Sequence, residues 1–255
     1  MIKDYLSLPE EVEGLGKIYP ISILDWNEFS ETARTYLLYS YDFLKYRCQL
    51  DESVKLLDFI MALILQDKTE EDSVQALKKF IQMISFTFRE PVKSFFHPST
   101  QSWVFLIGEE KDSRYLTRDN FDRYREVVMR QNLLFEPLVA PNEFSQKTID
   151  DAILKMSRRA PESDLETMLA LVSVVKGISP EQFKTYSYYQ LRADYEISQR
   201  LEHNRFIHLY RSQGAKTEPV NLSAKLEMLE NPYSFEKLFK KVDVAKEEKF
   251  QKMLS

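Results

Sequence analysis

Apolar residues recur at three- and four-residue intervals over most of this chain, and the rhythm breaks in one main place. Phe29, Ala33, Tyr36, Leu37 and the segment 40–44 keep one face, which predicts a helix opened by Asp25 or Ser30. Leu56, Leu57, Ile60, Ile64 and Leu65 predict a core-facing helix over 51–66, and Val74, Leu77, Phe80, Ile81 and Ile84 another over 71–88. Between 92 and 116 the apolar runs shorten to strand length and fill with aromatic and β-branched residues, split by Pro98-Ser99-Thr100 and by 108–113. That predicts a small antiparallel meander, which must lie on a helical layer because three short strands do not stand alone.

The helical period returns after Thr117, whose hydroxyl can cap a helix carrying Phe121, Tyr124, Val127 and Val128 on one face. Two more helices follow over 145–156 and 164–175, the second apolar on nearly all sides around Ala170 and Leu171 and so expected to be buried. The longest unbroken pattern runs from Gly177 to Arg211. Ser179, Pro180 and Gln182 form a capping-box signature with Ile178 and Phe183 at staple positions, and Ser187 with Gln190 forms a second box. Two helix starts this close predict a rigid corner leading into a long helix. The first 20 residues carry turn signals at Pro9, Gly14, Gly16 and Pro20 and read as an irregular arm with an extended piece over 17–23. The stretch 219–232 is weaker, and 235–254 is a Lys/Glu-rich amphipathic tail.

The expected fold class is mainly α, a multi-helix domain with a small antiparallel β meander at about residues 92–116. Three regions are expected: an N-terminal arm and helical layer over 1–90, the meander over 91–116, and a C-terminal helical region with its tail over 117–255, the whole open to being one continuous domain. Composition agrees, since five Gly and ten Pro in 255 residues leave few helix breakers. A net charge of -5 argues against a broad nucleic-acid footprint. The single cysteine, Cys48, suits a reducing compartment and excludes an internal disulfide. The N-terminus has acids where a signal peptide needs an apolar core, and the most apolar segment, 54–65, is too short to span a bilayer, so a cytoplasmic location is expected.

Candidate chemistry is sparse. His203 and His208 are five residues apart, which turns them away from a common helix face, so no metal site is expected. His97 beside Pro98 reads as a turn residue, and Cys48, with no local base, as a small buried hydrophobe. Ser173 to Lys176 matches Ser-x-x-Lys, but the partner motifs of penicillin-binding enzymes are missing. No glycine-rich phosphate loop exists, and no catalytic residue or cofactor is expected. The helix corner admits a helix-turn-helix reading, yet Arg192, Arg200, Arg205 and Arg211 are interleaved with Asp194, Glu196 and Glu202. Aromatic weight is what stands out. Tyr188, Tyr189, Tyr195, Phe206 and Tyr210 on the long helix, with Phe235, Leu238 and Phe239 in the tail, are the expected protein-contact residues, and a core-edge role for the tyrosines is the alternative.

Three segments, Gly-Lys-Ile-Tyr-Pro-Ile at 16–21, Leu-Thr-Arg-Asp-Asn-Phe-Asp-Arg-Tyr-Arg-Glu-Val-Val-Met-Arg-Gln-Asn-Leu at 116–133 and Thr-Tyr-Ser-Tyr-Tyr-Gln-Leu at 185–191, stand in an order that resembles tail assembly proteins, or tail assembly chaperones, of bacteriophages infecting Gram-positive bacteria. The resemblance covers roughly residues 15–215. It implies a non-enzymatic role in the host cytoplasm, binding a tape-measure or baseplate protein, and it transfers no catalytic residue. A structural tail or baseplate component retained in the virion is the first alternative and a nucleic-acid-binding regulator the second; self-association stays open.

Overall fold

The computed structural model describes residues 2–66, 69–109, 113–159, 164–214 and 216–239. The fold is mainly α with a small β meander. In chain order the elements are α1 (Ile2–Tyr5), β1 (Glu10–Val12), β2 (Gly16–Ile18), α2 (Trp26–Tyr36), α3 (Tyr41–Tyr46), α4 (Leu56–Leu65) and α5 (Glu70–Phe88), then β3 (Val92–His97), β4 (Ser102–Ile107) and β5 (Arg114–Leu116), then α6 (Phe121–Gln131), α7 (Glu143–Arg159), α8 (Leu165–Lys176), α9 (Pro180–Phe183), α10 (Tyr188–Ser212) and α11 (Phe235–Leu238).

Helix α5 lies at the centre of the first half. Thr69 caps it by accepting from the Asp72 N–H, and Arg89 ends it in a left-handed conformation. Its Phe80, Met83, Ile84 and Phe88 are buried, and it packs against α2, α4 and the meander. The meander has β4 in the middle, antiparallel to β3 and β5, with Phe105 and Ile107 in the core. Phe80 meets Phe105 edge-on at 5.6 Å. One buried cluster holds residues from Val12 through Tyr195, so the arm, the meander and the start of α10 share a core.

Several elements differ from their sequence reading. The expected helix from 25 or 30 to 44 breaks after Tyr36, because Ser40 restarts the chain as α3 by accepting from the Phe43 N–H at 3.2 Å. The helix expected from 51 begins at Leu56, since the Asp51 carboxylate accepts from the Ser53 N–H and holds a turn there. Leu65 and Val74, expected to face the core, are exposed. Thr117 does not cap α6; Asn120 is its N-cap residue and folds its side chain back to accept from the Thr117 N–H at 2.8 Å. Helix α8 is not buried all round: only Met168 and Val172 are, while Ala170 is exposed and Val174 is 82% exposed, because α10 covers one side of it.

The N-terminal arm is more ordered than its turn residues suggest. It holds the one-turn α1 and a β1–β2 hairpin closed through Gly14 and Gly16, both at positive φ. At Gly16 a side chain would also collide with the Arg114 guanidinium, which donates to the Leu15 carbonyl at 3.2 Å and pairs with Glu90. The tail expected over 235–254 is described only through α11 and Phe239; 240–254 lies outside the described residues.

Candidate protein-contact site

The corner forms as its caps dictate. Gln182 Oε1 accepts from the Ser179 N–H at 2.9 Å, and Ile178 and Phe183 pack into the main core. At α10 the box is reciprocal: Ser187 Oγ accepts from the Gln190 N–H at 3.2 Å and Gln190 Oε1 from the Ser187 N–H at 3.1 Å. The same Gln190 oxygen also accepts from Ser7 Oγ at 2.7 Å, which ties the N-terminal arm to the cap.

From this start α10 runs 25 residues and changes character along its length. Its first half is core. Tyr188, Leu191 and Tyr195 join the main cluster, and Tyr189 and Ala193 pack with Met228 in a smaller one. Tyr188, Tyr189 and Tyr195, expected as contact residues, are therefore largely buried within the chain, at 7%, 4% and 9% exposure. In its second half only Ile207 is buried, and Phe206, Leu209 and Tyr210 are 57%, 55% and 53% exposed. Their i, i+3, i+4 spacing puts them on one face. Leu209 was not singled out from sequence, although this same spacing would have found it. Phe235, Leu238 and Phe239 are half-buried; α11 lies against α7 and the rings of Phe235 and Phe239 are 4.9 Å apart.

The chain returns along α10 after Ser212. Asn204 bonds the Val220 backbone at both its N–H and its carbonyl, and Arg200 donates to the carbonyls of Ala224 and Lys225. Glu196 then accepts from the N–H groups of Glu227 and Met228 at 2.7 and 3.0 Å, capping a 3-10 turn over Glu227–Leu229. Arg200 also pairs with Glu196, and Arg205 with Glu202, so two of the four arginines on this helix are held by neighbouring carboxylates.

A second constellation was invisible in the sequence. The buried Asp194 carboxylate faces Lys176 Nζ at 2.6 Å and accepts from the hydroxyls of Tyr5 and Tyr186, each at 3.1 Å. Burial, then the Asp194 charge, pushes the Tyr186 hydroxyl up to about 12 and raises that of Tyr5. Both phenols are thus held as protonated donors, and the cluster works as a latch joining α1, α8 and α10. Ser173 of the Ser-x-x-Lys match donates to the Ile178 carbonyl, away from that latch.

Other candidate residues are placed as follows. His203 and His208 are exposed, and no group of three or more His, Cys, Asp or Glu that could hold a metal occurs among the described residues. His97 ends β3, with Nδ1 3.2 Å from the Thr100 hydroxyl. Cys48 is half-buried and its thiol is pushed up by that burial. Among the described residues no helix is long and apolar enough to cross a membrane.

The three segments that carry the family resemblance meet in space. The Ile21 N–H donates to Asn132 Oδ1 at 3.0 Å, Gln131 Nε2 to the Ile18 carbonyl at 3.3 Å, and the Tyr188 N–H to the Ile21 carbonyl at 3.1 Å. They form one buried junction beneath the start of α10. No protein-family model, no curated protein and no solved structure matches this chain.

Proposed function

We propose that this chain acts without catalysis, through protein contact, as a tail assembly factor of a phage that infects Gram-positive bacteria, working in the host cytoplasm. The observation that carries the contact reading is the stripe of Phe206, Leu209 and Tyr210 on the outer half of α10. Large apolar side chains at helical spacing on an outward face are what a helix-in-groove contact uses. The rigid capped base of α10, locked to α1 and α8 through Asp194, holds that stripe in a fixed direction. The tail-assembly assignment itself rests on the resemblance of the three segments above, and their convergence in one junction supports reading them together.

Co-expression of the tagged chain with the tape-measure and baseplate proteins of the same phage tests this. The intact chain retains one of those two proteins on affinity capture, and the triple variant Phe206→Ser, Leu209→Ser, Tyr210→Ser loses it while keeping its circular dichroism. Recovery of neither protein with the intact chain, together with normal tails when its gene is deleted, overturns the reading. Finding the chain in purified virions would instead make it a structural component.

A further inference from the structure

Strand β3 is an outer strand of the meander, paired on one side with β4. Phe95 and Phe96, whose side chains leave opposite faces of the strand, are both exposed, as are Lys93 and His97. The Gly108 N–H donates to the Pro91 carbonyl at 3.0 Å, one step beyond the pair of Val92 with Ile107. Antiparallel pairs alternate between those that exchange hydrogen bonds and those that do not. Lys93, Phe95 and His97 therefore turn their backbone groups towards β4, and Val92, Ser94 and Phe96 turn theirs to the free edge. Those outward groups have no hydrogen-bond partner among the described residues.

An open edge of this kind is a template for another strand, and its sequence suits a second copy of itself. With two β3 edges antiparallel about a twofold axis at Ser94, Val92 stands opposite Phe96 of the second copy and Ser94 opposite Ser94. Each of these pairs joins outward-facing residues, so each exchanges both of its backbone hydrogen bonds. Val92 against Phe96 is an apolar pair, and Lys93 faces Phe95 of the second copy in the closer, non-hydrogen-bonded position, which suits a cation–π contact on either side of the axis. The neighbouring registers are worse. Sliding one copy by two residues in one direction sets Lys93 against Lys93, and in the other it sets Val92 against Pro98, which has no N–H to give.

We propose that two copies of this chain pair edge to edge through β3 in the register centred on Ser94, which joins their meanders into one continuous antiparallel sheet. The contact uses none of Phe206, Leu209 and Tyr210, so it stands independently of the tail-assembly reading.

Sedimentation equilibrium of the full chain tests this. The intact chain is expected to pass from monomer to dimer as its concentration rises. Ser94→Pro removes an outward N–H and no bond to β4, and it should raise the dissociation constant about tenfold or more. Phe95→Lys sets lysine against Lys93 on both sides of the axis and should do the same, and adding Lys93→Glu turns both contacts into opposite-charge pairs and should restore the dimer. Oxidative cross-linking in a Cys48→Ala background reads the register. Ser94→Cys places its two α carbons about 5.5 Å apart and should cross-link, whereas Phe96→Cys, about 14 Å from its counterpart, should not. A chain that stays monomeric at every concentration overturns the proposal. So does a dimer that survives Phe95→Lys, or one that cross-links through position 96 as fast as through position 94. Should Ser94→Pro fail to fold, Phe95→Lys and its rescue by Lys93→Glu decide the matter.

Discussion

The rings of Trp26 and Tyr188 lie face to face, with centroids 3.4 Å apart and 5° between their planes. They are the first residues of α2 and α10, so the stack joins the two helix starts on which the core is built. The Ile21 carbonyl accepts from the Tyr188 N–H and the Tyr186 carbonyl from the Ile23 N–H, which fixes the strand-like link between them. Tyr188→Ala opens a cavity beneath Trp26 and should cost about 3 kcal/mol, with Trp emission shifting to the red; Tyr188→Phe keeps the ring and should stay within about 1.5 kcal/mol. Urea unfolding of both variants decides this, and equal midpoints for Ala and Phe would sink it.

How much of this was legible follows from the range of the interactions. The box of Ser187 with Gln190 is local chemistry, readable within four residues, and it formed. The meander was readable because its period differs from that of its surroundings. The Asp194 latch was not, since Tyr5 lies 189 residues away and nothing in either neighbourhood points to the other. Burial along α10 failed for a related reason: aromatic residues occur on both halves of the helix, and only the tertiary partners, Trp26 and Met228, separate core from surface. Val174 shows the converse, an apolar run whose outer side no described element covers.

Removing the latch charge should be costly. In Asp194→Asn one oxygen remains to accept from a tyrosine, but an amide N–H₂ now faces Lys176 or the second hydroxyl, and a loss of about 2–4 kcal/mol is expected. Tyr5→Phe removes one neutral donor and should cost about 1 kcal/mol. The two changes share a partner, so the double variant should lose less than their sum by about 0.5 kcal/mol or more. Strict additivity in a double-mutant cycle would show that Tyr5 and Asp194 are not coupled.

The same cluster predicts a pH dependence with a definite sign. Tyr186 keeps its proton up to about 12 in the folded chain, whereas an unfolded tyrosine loses it near about 10. Above that lower value the unfolded state is favoured by deprotonation, so this contribution is complete below about pH 10 and drains away towards 12. Tyr186→Phe lacks the titrating group, while Tyr5, Lys176 and Asp194 remain around it. The gap in Tm between the native chain and Tyr186→Phe should therefore be constant from pH 7 to about 9.5 and shrink above pH 10. A gap that stays the same from pH 9 to 11.5 would exclude the assignment.

Arg125 is a buried cation that ends a helix. Its Nε donates to the Leu37 carbonyl at 2.7 Å, Nη2 donates to the Tyr39 carbonyl at 2.6 Å, and Nη1 meets the Glu136 carboxylate at 2.6 Å. Leu37 and Tyr39 follow the last residue of α2, so the guanidinium satisfies carbonyls that the helix end leaves open and sits where the dipole favours positive charge. This is also why α2 stops and α3 restarts at Tyr41 without a glycine between them. Arg125→Met preserves much of the side-chain volume and strands both carbonyls, for an expected loss of about 2–4 kcal/mol. Arg125→Lys keeps the charge but not the planar fork, so it should recover less than half of that loss. Chemical denaturation of the three proteins measures this directly: a lysine variant as stable as the native chain would mean that charge alone holds the end of α2, and the three-way geometry would be incidental.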